Sequence, residues 1–257
     1  MTDEHDRLFV QAFGRGLSVI KAFGEEAPEL TLSEVAKRAG ISRASARRLI
    51  HTLSVLKYVA TDGKRYWLTA RILDLGYSYL SSMQTWSFAE EYMEDLVQRV
   101  HESCSMSVLD GHDIVYVMRV PTRRILHSTL NVGSRLPAHA QSMGRIQLAA
   151  LPEAELSRYL ATVEPQAFTP YTVTDREELR RIIEADRAKG WSMVSKELEE
   201  GICGIAVPIV NRRGKTIAAI NLSMHPERAA SADTVDRLVR ELRNTAIEIN
   251  SVLKLRH

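Results

Sequence analysis

The side chains with the most chemical potential fall in two places: a cationic stripe near the N-terminus, and acids, histidines and cysteines scattered beyond it. Between Ile41 and Arg65, six basic residues (Arg43, Arg47, Arg48, Lys57, Lys64, Arg65) face Asp62 alone, a local charge of +5. Cations so concentrated either coat a solvated face or bind phosphate. Asp110, His112 and Asp113 have the residue types of a metal site, but they flank an Asp-Gly turn, where such residues are ordinarily solvated. Glu197, Glu199 and Glu200 suggest acid/base work, yet no nucleophile stands at a matching spacing. Cys203 reads as a small buried apolar residue, and no glycine-rich phosphate loop is present. The sequence therefore predicts no enzyme, no metal and no cofactor.

The elements around the stripe decide between its two readings. Thr31 and Glu34 stand in the capping-box relation ahead of Leu32, Val35, Ala36 and Ala39, and Gly40 stops the helix. After a three-residue turn, Ser42 caps a second helix with Ala46, Leu49, Ile50, Leu53 and Leu56 on its apolar side. This is a helix-turn-helix. The opposite side of the second helix carries Ala44, Arg47, Arg48 and His51, flanked by Arg43, Ser45 and Thr52, a surface of Arg, Ser and small residues suited to a major groove. Two β-prone runs around Asp62-Gly63 follow, a hairpin whose tip carries Lys64 and Arg65. It reads as the wing of a winged helix. A first helix from about Phe13 to Phe23, bearing Arg15, supplies the packing partner through Leu17, Ile20 and Phe23. The expected DNA contacts are Arg15, Ser42, Arg43, Ala44, Ser45, Arg47, Arg48, Thr52, Lys64 and Arg65.

Composition alone points the other way. The 257 residues hold 34 Lys+Arg against 32 Asp+Glu, a formal charge of +2. Split at Ala70, the charge divides into +3 and −1, so a basic reader adjoins a near-neutral remainder. With 45% hydrophobic residues the chain can build real cores, and no apolar run reaches the roughly 18 residues of a membrane span. Two isolated cysteines and an acidic, polar start lead us to expect a soluble, unprocessed protein of a reducing cytoplasm.

The runs Phe13-GRGLSVIKAF, LTLSEVAKRAGISRASARRLIHTLSVLKYVATDGKRYWLT and ILDLGYSYLSS resemble the N-terminal part of IclR-family transcriptional regulators. VLDGHDIVYVMRVPTRRI, VGSRLPAHAQSMGRIQLAALPEAEL, KELEEGICGIAVPIVNRRG and AAINLS resemble the family's C-terminal effector-binding domain, which is GAF-like. The wording is closest to the branch regulating protocatechuate and β-ketoadipate catabolism. The resemblance implies an α+β protein of two domains: a winged helix-turn-helix over 1–70, a linker helix over 71–85, and an effector-binding and oligomerisation domain over 86–257. It implies double-stranded DNA with a pseudo-palindromic site as partner, a homodimer or tetramer, no membrane, and a small carboxylate from aromatic catabolism as effector. An enzyme with a DNA-binding appendage, which would turn that acid over, and a constitutive DNA-binding protein, which would ignore it, are the alternatives.

In the second domain the spacing predicts a helix over Trp86–His101 and strands over SMSVLDG, DIVYVMRVP and ILHSTLNVG. Helices follow around Ser142–Ala150, Glu153–Ala161 and Asp175–Lys189, then strands near Trp191–Lys196, Gly204–Val210 and Thr216–Ser223, and a terminal helix from about Ser231. Carried over from the family, the effector positions are Ile125, Leu136, Ser142, Met143, Ile202, Gly204, Asn221 and Ser223. Counter-charges for a carboxylate come from Arg119, Arg123, Arg124, His127 and His139, and the Ser142-Met143-Gly144 amides open a helix N-terminus to it. One departure stands out. Where the family commonly has Gly-Leu-Arg-Ser, this chain has Gly201-Ile202-Cys203-Gly204, without the Arg and the Ser.

Overall fold

The computed structural model describes residues 8–24, 26–82, 88–122 and 130–255. Contacts divide the chain into two compact units, Met1–Met83 and Gln84–His257. Helix Leu73–Ser82, expected as a linker, groups with the first. Among the described residues no helix is long and apolar enough to cross a membrane.

The first unit is built from α1 (Gln11–Lys21), β1 (Glu29–Thr31), α2 (Leu32–Arg38), α3 (Arg43–Val55), β2 (Val59–Thr61), β3 (Arg65–Leu68) and α4 (Leu73–Ser82). Local chemistry fixes most of it. The Thr31 amide donates to Glu34 Oε2 at 2.7 Å while the Glu34 amide donates back to Thr31 Oγ1, so both orphan donors at the start of α2 are satisfied. Gly40 turns the chain at φ +65°, and Ser42 Oγ accepts from the Ser45 amide at 3.2 Å to open α3. Val19, Phe23, Leu30, Val35, Ala46, Ile50, Leu53 and Val59 close the core. Two expectations need correcting. Leu17 on α1 and Leu56, the cap residue just past the end of α3, were placed on buried sides but are 40% and 50% exposed. The hairpin is also joined by a strand the sequence did not announce: β1, three residues long, pairs with β3 and gives the order β1-β3-β2.

The second unit runs α5 (Ala89–Val100), β4 (Ser103–Asp110), β5 (Asp113–Val120), β6 (Arg135–Pro137), α6 (Ser142–Ala149), α7 (Glu153–Thr162), α8 (Arg176–Lys189), β7 (Ser192–Ser195), β8 (Cys203–Val210), β9 (Thr216–Met224) and α9 (Ala232–Leu255). Its six strands form one antiparallel sheet in the order β6-β5-β4-β9-β8-β7. Most of the strand expected over ILHSTLNVG lies outside the described residues. The strand found nearby is the short β6, which pairs with β5 through Leu136 opposite Ile114. Helices α6 and α9 both contact the neighbouring strands β8 and β9, and α6 carries α8 against it. All eight residues of α6 are buried.

A candidate effector cavity and a candidate DNA interface

On the first unit the cationic residues sit on elements whose backbones are locked. Arg43, Ala44, Arg47, Arg48 and Thr52 are exposed on α3, with Ser45 half-buried beside its cap. Among the described residues neither Arg43, Arg47 nor Arg48 has an ion-pair partner, so their charge is available to phosphate or a base edge. The wing tip is equally ordered. Asp62 Oδ1 accepts from the amides of Lys64 and Arg65 at 2.8 and 2.7 Å, Gly63 takes φ +94°, and both cationic side chains remain exposed. Those amide bonds hold the Asp62 carboxyl below the usual carboxylate range. Arg15 is exposed on α1.

The second unit has a cavity of about 30 Å³, lined by both polar and apolar side chains, between the sheet, the N-terminus of α6 and the β7–β8 loop. Of the residues singled out by sequence, Arg119, Ser142, Ile202, Gly204, Asn221 and Ser223 line it. The strand register explains how. Ser105 on β4 stands opposite both Arg119 on β5 and Asn221 on β9, so the three form one row across one face of the sheet. Ser223 stands opposite Gly204, one pleat further along. Sequence reasoning missed Ser105, Tyr116 and Gln141, which also line the cavity, and it weighed Glu197 and Glu199 only as acid/base candidates although both line it too. Alternation along SMSVLDG placed Ser105 on a face, but only pairing shows which face. Tyr116 is buried, which pushes its phenol up to about 12 despite nearby Arg119, so it enters the cavity as a neutral hydroxyl.

Behind the cavity lies a buried ion pair. Arg145 Nη2 meets Glu197 Oε2 at 2.6 Å with both side chains under 10% exposed. Arg145 Nε also donates to the His139 carbonyl at 2.8 Å, and Glu197 Oε2 accepts from the Val173 amide at 3.0 Å. With Glu197 paired to Arg145, the other charged residues lining the cavity are the half-buried Arg119 and the exposed Glu199. Helix α6 begins after Gln141, which provides no side-chain cap, so the first-turn amides face the same end with no side-chain acceptor.

Other sequence-selected residues sit elsewhere. Met143 is fully buried in the apolar core, against which Leu136 packs. Ile125 and His127, like Arg123 and Arg124, lie outside the described residues. His139 lines a separate, open depression of about 350 Å³ with His112, Asp113, Glu164 and Phe168, and stacks on the Phe168 ring at 6.0 Å. Asp110 and Asp113 are held by Arg135 at 2.6 and 3.2 Å, and His112 Nε2 meets Thr162 Oγ1 at 2.9 Å. Among the described residues no three His, Cys, Asp or Glu gather as metal ligands. Cys203 is buried, which raises its thiol above the ordinary value.

Burial also holds the His139 imidazole below its ordinary 6.5, with the Gln166 carbonyl partly offsetting this. A depressed histidine contributes stability that is complete above the unfolded value and lost as pH falls below it. Unfolding of the second unit, followed between about pH 7.5 and 5, should therefore show an acid slope that is reduced in His139→Phe, which keeps the stack on Phe168. An unchanged slope would assign it to other groups.

Residues 12–63 match the IclR helix-turn-helix domain, and residues 77–251 match the bacterial transcriptional regulator IclR C-terminal domain. The chain belongs to the IclR family. This IclR-family regulator is 40% identical to the Pca regulon regulatory protein of Pseudomonas putida over 90% of its own length and 80% of that protein's. It is 34% identical to the p-hydroxybenzoate hydroxylase transcriptional activator of Acinetobacter baylyi, covering 95% and 92% of the two chains. An IclR homolog from Microbacterium hydrocarbonoxydans, solved in complex with 4-hydroxybenzoate, superposes with a TM-score of 0.82 at 27% identity over 95% and 99%. Its relatives are transcriptional regulators, not enzymes.

Proposed function

We propose that this IclR-family regulator binds a pseudo-palindromic operator as a homo-oligomer and is switched by a small aromatic carboxylate held in the cavity between α6 and the sheet. The observation that carries the reading is the cavity itself: a half-buried Arg119, buried hydroxyl and amide groups from three strands, and a helix N-terminus, all converging where the one buried carboxylate is already paired. The acid's carboxylate faces Arg119. The names of the relatives agree with an acid of aromatic catabolism. A cavity of about 30 Å³ holds a water or two and not a benzene ring, so an acid enters only as the lining groups move apart. Ligand binding is then coupled to movement of the groups that line the cavity, which is what a switch can use.

On DNA, Arg47 and Arg48 read bases or phosphates from α3, while Arg43, Lys64 and Arg65 fix the register on phosphate. Arg48→Ala should cost about 1–3 kcal/mol and relax specificity at one position if it reads a guanine, whereas uniform loss over all sequences makes it a phosphate contact. Affinity should fall steeply between low and moderate salt; a flat profile would refute the electrostatic part. The effector reading is tested by thermal shift of the full chain with aromatic acids. Ordinary binding raises the second transition with ligand concentration, and no shift at concentrations far above micromolar would make the protein a constitutive DNA binder.

A further inference from the structure

One acidic side chain stands where a phosphate-binding tip has no use for its charge. Asp62 is exposed at the end of the wing, beside Lys64 and Arg65, the two cations assigned to phosphate. A carboxylate there repels the phosphates that the cations attract, so by charge alone the tip would bind DNA better without it. Its hydrogen bonds give it another use. Asp62 Oδ1 accepts from the Arg65 amide at 2.7 Å and from the Lys64 amide at 2.8 Å, so it grips the backbone of the same two residues.

Thr61 completes the turn. Its Oγ1 donates to the Arg65 carbonyl at 2.6 Å and accepts from the Gly63 amide at 2.9 Å. The amides of Gly63, Lys64 and Arg65 are thus all held by the side chains of Thr61 and Asp62, and Gly63 takes the positive φ that the turn demands. The base of the turn is fixed as well. Thr61 pairs with Tyr66, and Arg65 stands opposite Thr31, the residue that caps α2, so the backbone carrying the cations is tied to the helix-turn-helix. Residues 61–65 are all exposed, and such bonds add little to the stability of the unit. What they remove is freedom of the tip, and a loop ordered in advance does not lose that freedom when it binds.

We propose that Asp62 and Thr61 are positioning residues for DNA binding: by fixing the tip of the wing they present Lys64 and Arg65 to phosphate, and this gain outweighs the repulsion that the Asp62 charge brings. The proposal rests on Lys64 and Arg65 being phosphate contacts and adds the residues that aim them. Two neutral substitutions separate the roles of Asp62. Asparagine keeps a side-chain oxygen that can accept from both amides but carries no charge, whereas alanine removes the acceptor and the charge together. Charge alone predicts that Asp62→Asn and Asp62→Ala bind DNA more tightly than the parent chain and to the same extent. Positioning sets the two apart.

Fluorescence anisotropy of the full chain on a short mixed-sequence duplex at low salt tests it, because phosphate contacts do not depend on sequence. Asp62→Asn should bind at least as tightly as the parent chain, and Asp62→Ala about three- to tenfold more weakly than Asp62→Asn. Thr61→Val, which keeps the shape and removes the hydroxyl, should lose a similar factor, and Thr61→Ser should recover it. The first unit should melt at the parent temperature in every case, and in a Lys64→Ala/Arg65→Ala background the gap between Asp62→Asn and Asp62→Ala should close. Equal binding by those two variants, a gap that survives without the cations, or an affinity loss that tracks a lower melting temperature would overturn the inference and leave the phosphate contacts standing. Parent-like binding by Lys64→Ala/Arg65→Ala would overturn both.

Discussion

Gly144→Ala is expected to unfold or severely weaken the second unit, by about 3 kcal/mol or more. Residue 144 lies in the first turn of α6, where the helix crosses directly over the turn Ala138–Ala140 that leads into it. A Cβ there would collide with the Ala138 carbonyl oxygen and stand 2.5 Å from Ala138 Cα and 2.6 Å from its carbonyl carbon. These are backbone atoms of a buried segment and have no rotamer to escape into, so either the helix lifts from the turn or the turn gives way. Calorimetry of the full chain should show the second unit's transition collapse while that of the first unit stays in place. Gly76→Ala is the matched control. It is also helical, in α4, but nothing lies within 4 Å of its added methyl, so it should be neutral or gain about 0.5–1 kcal/mol. Equal stability of Gly144→Ala and wild type would refute the close crossing.

Arg145→Met is expected to cost about 3–5 kcal/mol, through the carboxylate it strands more than through the bond it removes. Glu197 is 6% exposed and would keep only the Val173 amide as partner. The His139 carbonyl would lose its guanidinium donor at the same time. Arg145→Met/Glu197→Leu removes both charges and should recover most of the loss, since a buried pair replaced by apolar groups is often neutral. The double-mutant cycle thus reads a coupling well above that of an exposed pair such as Arg180–Glu153. Additive single losses would mean that the two side chains act independently. Because Glu197 also lines the cavity, the double variant offers a further readout: effector affinity should change even where stability is restored.

Much of the first unit was legible in the sequence because its determinants act over three or four residues. The capping box Thr31–Glu34, the Ser42 cap, and the Asp62-Gly63 turn are interactions between near neighbours, and they set the boundaries and phase of α2, α3 and the wing. Once the phase of α3 is set, Arg47 and Arg48 can only be outside if Ala46 and Ile50 are inside. The third strand, Glu29–Thr31, was not legible. It is too short to show an alternation and exists because β3 offers it an edge.

In the second unit the sequence by itself determined which segments alternate and which are helical, along with a stock of polar residues around Ser142, Ile202–Gly204 and Asn221–Ser223. It did not determine which of them meet. Strand alternation leaves each side chain a choice of two faces, and only the register that sets Ser105 between Arg119 and Asn221 makes a row of them. The helical phase of α6 turns Ser142 to the cavity, its neighbour Met143 to the core, and Arg145 to Glu197, 52 residues away in the chain. His139, three residues earlier than Ser142, faces a different depression altogether. Short-range bonding is written in neighbouring residues and can be read there. The candidate cavity is made by contacts between residues tens of positions apart, and its charge and its bare Gly204 acquire meaning only when tertiary packing brings them together.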